Sequence, residues 1–143
     1  MSKPKKKYEQ DYFASIDQKD YFAKFYEGMA KSKAYINLSL SAKYIYLLCR
    51  VHQCSTEGRR VLYKHAEAEG RKYPSNAFVF PSSHFKLYGV DRSNASKVLK
   101  ELVTAGFIDL IEQNAHRHKP NVYAFSRRWK DENMTEKQEN DTS

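Results

Sequence analysis

Six polar residues within the stretch "DRSNASKVLK" carry the donors and charges that suit a polyanion: Arg92, Ser93, Asn94, Ser96, Lys97 and Lys100. Guanidinium, ammonium, hydroxyl and carboxamide groups in the first turns of one element are the short or forked donors that reach base edges and phosphates. A second set lies downstream. From Gln113 to Lys130 the chain holds five Lys or Arg and no acidic residue, with His116, Arg117, His118 and Lys119 at its centre. A basic run of this kind favours polyanions.

Those groups need elements to position them. Ala95, Val98, Leu99, Leu102 and Val103 fall at i, i+3, i+4, i+7 and i+8, which predicts a helix from Arg92 to about Ala105 with one apolar side. Asp91 is its expected N-cap, its carboxylate accepting first-turn amides, and Gly106 its C′ stop. Upstream, Ser82 stands where a cap would open a short helix, "SHFKLY", with Ser83 in its first turn and Gly89 at its end. Residues 78–80, "FVF", predict a short strand ended by Pro81. The stretches 107–113 and 122–125 predict two strands joined by "NAHRHKPN", a hairpin with a basic tip. Further upstream, "SAKYIYLLCRVHQCS" predicts a core helix capped by Ser41, with Tyr44, Ile45, Leu48, Cys49 and His52 on its buried side. Residues 56–77 are polar, with Gly and Pro marks, and predict a long connection with one or two helical turns between Arg59 and Glu69.

The order is helix, strand, helix, tight turn, helix and basic hairpin. That is the pattern of an α+β winged helix-turn-helix, with an aromatic-rich N-terminal extension and the β-hairpin as wing. In a helix-turn-helix the second helix lies in the DNA major groove with its N-terminal residues at the base edges. Ser83, Arg92, Ser93, Asn94, Ser96, Lys97, Lys100, His116, Arg117, His118 and Lys119 are therefore the candidate contacts to double-stranded DNA. Any surface helix has a solvated polar side, and such folds also serve as protein-interaction modules. The coincidence of tight turn, polar first turn and basic hairpin on adjacent pieces favours DNA.

The segment "GVDRSNASKVLKELVTAGFIDL" resembles the recognition-helix-to-wing region of bacterial winged-helix regulators and plasmid proteins. Together with "AYINLSLSAKYIYLLCRVHQCS" it is similar to the N-terminal domain of the replication initiator RepA family of Gram-positive plasmids and integrative elements. The resemblance implies a double-stranded DNA-binding winged helix on a mobile element. Because the chain ends soon after the wing, the expectation is a regulator or accessory factor of plasmid or integrative-element replication or conjugative transfer. Replication or relaxosome proteins are then its expected companions.

Length and charge set the remaining bounds. The 143 residues suit one domain over 21–130, flanked by a mobile basic segment at 1–20 and a disordered acidic tail at 131–143. Net charge is +8; the tail, with five acidic residues and one lysine, contributes −4, which leaves +12 on residues 1–130. No apolar run approaches the ~20 residues of a membrane span, and the N-terminal lysines precede no apolar stretch, so a cytoplasmic protein is expected. Cys49 and Cys54, five apart in one helix, fit free thiols, and with His52 alone they make no zinc spacing. The pair His116 and His118 has the histidine spacing of metal-dependent DNA-nicking enzymes. However, Arg117 between them and Lys119 beside them would repel a metal ion, so no enzyme and no cofactor is expected. The 11 Tyr and 8 Phe raise base stacking on single strands as a use for aromatics, yet Tyr44, Tyr46, Phe80, Phe85 and Phe107 are expected in the core. No heptad marks a dimerisation helix, which leaves monomer and homodimer both open.

Overall fold

The computed structural model describes residues 22–130. The segments expected to be mobile at 1–20 and disordered at 131–143 lie outside the described residues. Two single-turn helices, α1 (Glu27–Ala30) and α2 (Lys33–Ile36), lead into α3 (Leu40–Cys54) and α4 (Thr56–Glu69). Then come β1 (Ala77–Val79), α5 (Ser82–Leu87), α6 (Arg92–Thr104), β2 (Ile108–Glu112), a 3-10 turn (Ala115–Arg117) and β3 (Val122–Phe125). The fold is thus α+β, and its three-stranded antiparallel sheet has the order β1-β3-β2. Among the described residues no helix is long and apolar enough to cross a membrane.

Successive strand residues point to opposite faces of a sheet, and here both faces are covered. The pair Phe78 and Tyr123 faces the main core, where Ile45, Tyr46 and Cys49 of α3 meet Ala95, Val98, Leu99 and Leu102 of α6. Phe107 is fully buried there, with its ring 5.5 Å from Tyr46 and stacked 5.5 Å from Trp129. Each such large apolar side chain contributes roughly 1.5–3 kcal/mol on burial. On the opposite face, Ala77, Val79, Val122 and Ala124 lie beneath Val61 and Leu62 of α4. The sheet is the middle of three layers.

The outer layer is where sequence and structure part most. Instead of a long connection with one or two turns, α4 is a 14-residue helix. Its buried stripe holds His65 and Glu69 beside Val61 and Leu62, so the hydrophobic period is half hidden. Ser55 is at once the last cap of α3 and the first of α4: its hydroxyl donates to the His52 carbonyl at 2.8 Å and accepts from the Gly58 amide at 3.0 Å. Gly58 packs so closely on the His52 carbonyl that a Cβ there would overlap it. Gly70, at φ +63°, ends the helix.

Three smaller differences follow from capping and phase. Helix α3 opens at Leu40 under Ser39 rather than under Ser41, because the Ser39 hydroxyl accepts from the Ala42 amide. Its buried stripe is accordingly Ala42, Ile45, Tyr46, Cys49 and His52, while Tyr44 is 49% exposed. Helix α5 starts at Ser82 with Pro81, not Ser82, in the cap position. Burial pushes the Cys49 thiol far up, as suits an inert core thiol, and both cysteines are free. The His52 ring stacks on Phe80 at 4.2 Å with Nε2 2.7 Å from the Val79 carbonyl, and burial lowers its pKa.

Candidate nucleic-acid interface

Helix α5 ends in a turn closed by Val90 N–H donating to the Phe85 carbonyl at 2.9 Å, with Gly89 at φ +74°, where a side chain would be strained. The turn delivers Asp91 to the cap position of α6. Its carboxylate, however, takes the Ser93 hydroxyl rather than a first-turn amide, a correction to the expected cap. Ala95, Val98, Leu99 and Leu102 anchor the helix as its stripe requires. At the far side, Glu101 binds the first turn of α3: the Ser39 amide and hydroxyl both donate to its carboxylate at 2.8 Å. At its end, Arg128 donates to the Val103 carbonyl at 2.9 Å, which also accepts the Gly106 amide at 3.1 Å, and to Asp109 at 2.7 Å.

With the apolar side so fixed, Arg92, Ser93, Asn94, Ser96, Lys97 and Lys100 are all exposed, and Ser83 on α5 is exposed too. Among the described residues no acidic side chain pairs with Arg92, Lys97 or Lys100. Arg92 and Ser96 share an open groove of about 590 Å³ with Ser82 of α5 and with His118 and Lys119 of loop 113–121. The structure therefore brings part of the helix set and part of the hairpin set to one concavity. Ser83, Ser93, Asn94, Lys97, Lys100, His116 and Arg117 lie outside its lining.

The loop itself is held in a way no local stretch of sequence signals. Arg117 donates to Glu69 at 2.9 Å and Lys119 to the same carboxylate at 3.0 Å, although Glu69 sits at the end of α4. Hydrogen bonds from Arg117 and then Lys119 hold the Glu69 carboxyl down at about 2. Next to it, Glu112 accepts from the Asn114 amide at 2.7 Å and the Tyr73 hydroxyl at 2.7 Å, with His65 Nε2 at 2.9 Å and Arg71 as a further partner. The Asn114 hydrogen bond, then those of His65 and Tyr73, keep Glu112 at about 2. Burial and the bond to Glu112 raise Tyr73 to about 12. Asn114, 1% exposed, also takes the Asn121 side-chain oxygen on its backbone amide at 2.7 Å, which closes the loop on itself.

His116 and His118 are exposed, and His118 adopts φ +56°. Among the described residues the one cluster of three candidate metal ligands is His65, Glu69 and Glu112, which includes neither of them. The cluster's carboxylates already hold Arg71, Arg117 and Lys119.

Taken together, the architecture is a helix-turn-helix unit followed by an antiparallel hairpin, compatible with the winged-helix class. Comparison with known proteins finds no matching family model, no matching curated protein and no matching solved structure.

Proposed function

We propose that the chain is a winged-helix protein that binds double-stranded DNA, with α6 as recognition helix and loop 113–121 as wing. The observation that carries this reading is the outer side of α6, where three exposed cations without acidic partners flank Asn94 at the end of a helix already fixed on its core side. Asn94 pairs with an adenine edge and Lys97 with a guanine edge in the major groove, while Arg92 and Lys100 hold phosphates. The neighbouring groove lets the wing approach the same duplex. In the cell this suits a regulator or accessory factor of plasmid or integrative-element replication or conjugative transfer.

Selection of bound sequences from random duplex DNA tests the reading. The expected outcome is an enriched motif whose preference weakens in the Asn94→Ala and Lys97→Ala variants. Retention of no sequence above background, with no salt-dependent binding to any duplex, would refute it. Footprints within a promoter of the chain's own operon would then assign repression, and footprints at an origin of transfer would assign conjugation.

A further inference from the structure

A second groove, of about 490 Å³, lies at the other end of the sheet. Strand β3 runs from the wing loop at Val122 to Phe125, and Phe125 lines this groove, which shares no residue with the one beside α6. Its apolar lining is mostly aromatic: Phe25, Tyr26, Tyr46, Phe125 and Trp129, with Met29 beside them. Its charged lining is Lys24, Arg50, Arg127 and Lys130, with no acidic side chain among the described lining residues. The rings are braced from behind, Phe25 by Tyr35 at 5.1 Å and Trp129 by Phe107 at 5.5 Å. The cations lie against them, Arg50 at 5.0 Å from the Phe125 ring and Lys130 at 5.7 Å from the Trp129 ring. In front, Tyr26 is 65% and Phe25 41% exposed, so stackable faces stand open beside cations that no acid among the described residues pairs with.

Rings with cations and no acids match one ligand chemistry on both counts. A nucleobase stacks on the rings while its phosphates meet the cations, the arrangement that non-specific single-strand binders use. Duplex DNA satisfies only the cations, because its bases are stacked on each other. An acidic peptide likewise leaves the exposed rings in water. We propose that this groove binds single-stranded nucleic acid, with a base stacked on Tyr26 and phosphates held by Lys24, Arg127 and Lys130. The site is separate from the duplex interface of α6 and stands whether or not α6 reads DNA.

The test uses the full chain, a fluorescein-labelled oligo-dT of eight nucleotides, and the fluorescence of Trp129, the single tryptophan. Saturable binding with quenching of Trp129 is expected. Tyr26→Ala should weaken it about fivefold or more, the lower end for loss of one stacked base. The double variant Lys24→Glu/Arg127→Glu should weaken it further and flatten its salt dependence. Both variants should melt like the parent and keep its duplex affinity, and Lys97→Ala should leave oligo-dT binding unchanged. Three results would overturn the proposal: no binding of oligo-dT; binding that Lys97→Ala abolishes and Arg127→Glu spares; or binding indifferent to Tyr26→Ala and displaced equally well by a poly-glutamate peptide, which would make the groove a seat for acidic segments.

Discussion

Arg92, Lys97 and Lys100 on α6 are cations of the same kinds as Arg117 and Lys119 on loop 113–121, but among the described residues only the loop pair meets an acid. The loop stretch contains no acidic residue, yet Glu69, 48 positions before Arg117, supplies one from another layer of the fold. Of the five cations between residues 113 and 130, two are bound to Glu69, one to Asp109, and the other two, Arg127 and Lys130, line the second groove. A basic run in sequence is thus dispersed to three places. Charge counted along a chain therefore gives the total available to the field, while the fold decides where that field emerges.

The largest effect that sharpens this contrast concerns how firmly each region is seated. Leu102→Ala removes a fully buried side chain from the α6 stripe and should cost about 2–5 kcal/mol in urea unfolding, whereas Arg117→Ala should barely move the midpoint. Next in size is base reading. Lys97→Ala should cost about 1–3 kcal/mol more on a selected site than on random duplex, while Arg117→Ala, which removes a cation already tied to Glu69, should leave both duplexes nearly unchanged in a filter-binding or anisotropy titration.

Glu69→Gln attacks the difference directly. Release of Arg117 and Lys119 should steepen the log-log salt dependence of duplex binding by about one to two, since each new phosphate contact adds about −0.9 to the slope. An unchanged slope would mean that the two cations stay away from the phosphates even when freed.

The smallest effects are those of pH. Because Glu69 is depressed to about 2, its tie is complete above the ordinary carboxylate range and fails only as pH falls through that range toward 2. The share of the salt slope owed to Arg117 and Lys119, read as the difference between the parent and Glu69→Gln, should therefore be the same from pH 5 to pH 8. His52 has the opposite charge type: burial lowers its pKa, so the unfolded chain binds its proton first. Stability from the neutral ring is complete above about 6.5 and declines as pH drops below it. Thermal melts should show a slightly lower midpoint at pH 5 than at pH 7, and NMR titration should place His52 below the ordinary histidine value.

Much of the architecture is legible because its signals are local. The 3.6-residue stripe from Ala95 to Leu102, with Gly106 after it at φ +88°, places α6 within a residue of its observed end. The antiparallel β2–β3 pair is equally readable from its alternation and the polar tip between. Helix α4 is not, since His65 and Glu69 occupy positions where a hydrophobic count expects apolar residues, and Gly58 looks like a loop mark rather than a close-contact residue. Ser55 and Gly70, fifteen positions apart, were the signals that bracket it. For the candidate site, the exposed residues of α6 follow from its stripe, whereas the partners of Arg117 and Lys119 depend on contacts across the whole chain. The aromatic groove was hidden for a similar reason: Phe25 and Trp129 are brought together from the two ends of the described chain.

The corner at Ser55 gives helix α4 the mechanics of a lever. Its pivot is the Gly58 contact with His52, and its free end is Glu69, which grips the wing. From Gly58 to Glu69 the helix rises eleven residues at 1.5 Å each, an arm of about 16 Å, so a tilt of about 10° at the pivot swings the far end by about 3 Å. A methyl group added at Gly58 would overlap the His52 carbonyl, so the corner must shift to admit it. If the proposed duplex binding holds, such a shift would move the loop that Glu69 holds from a position that touches neither loop nor duplex, making the α3–α4 corner a place where substitutions retune binding geometry without altering a single contact residue.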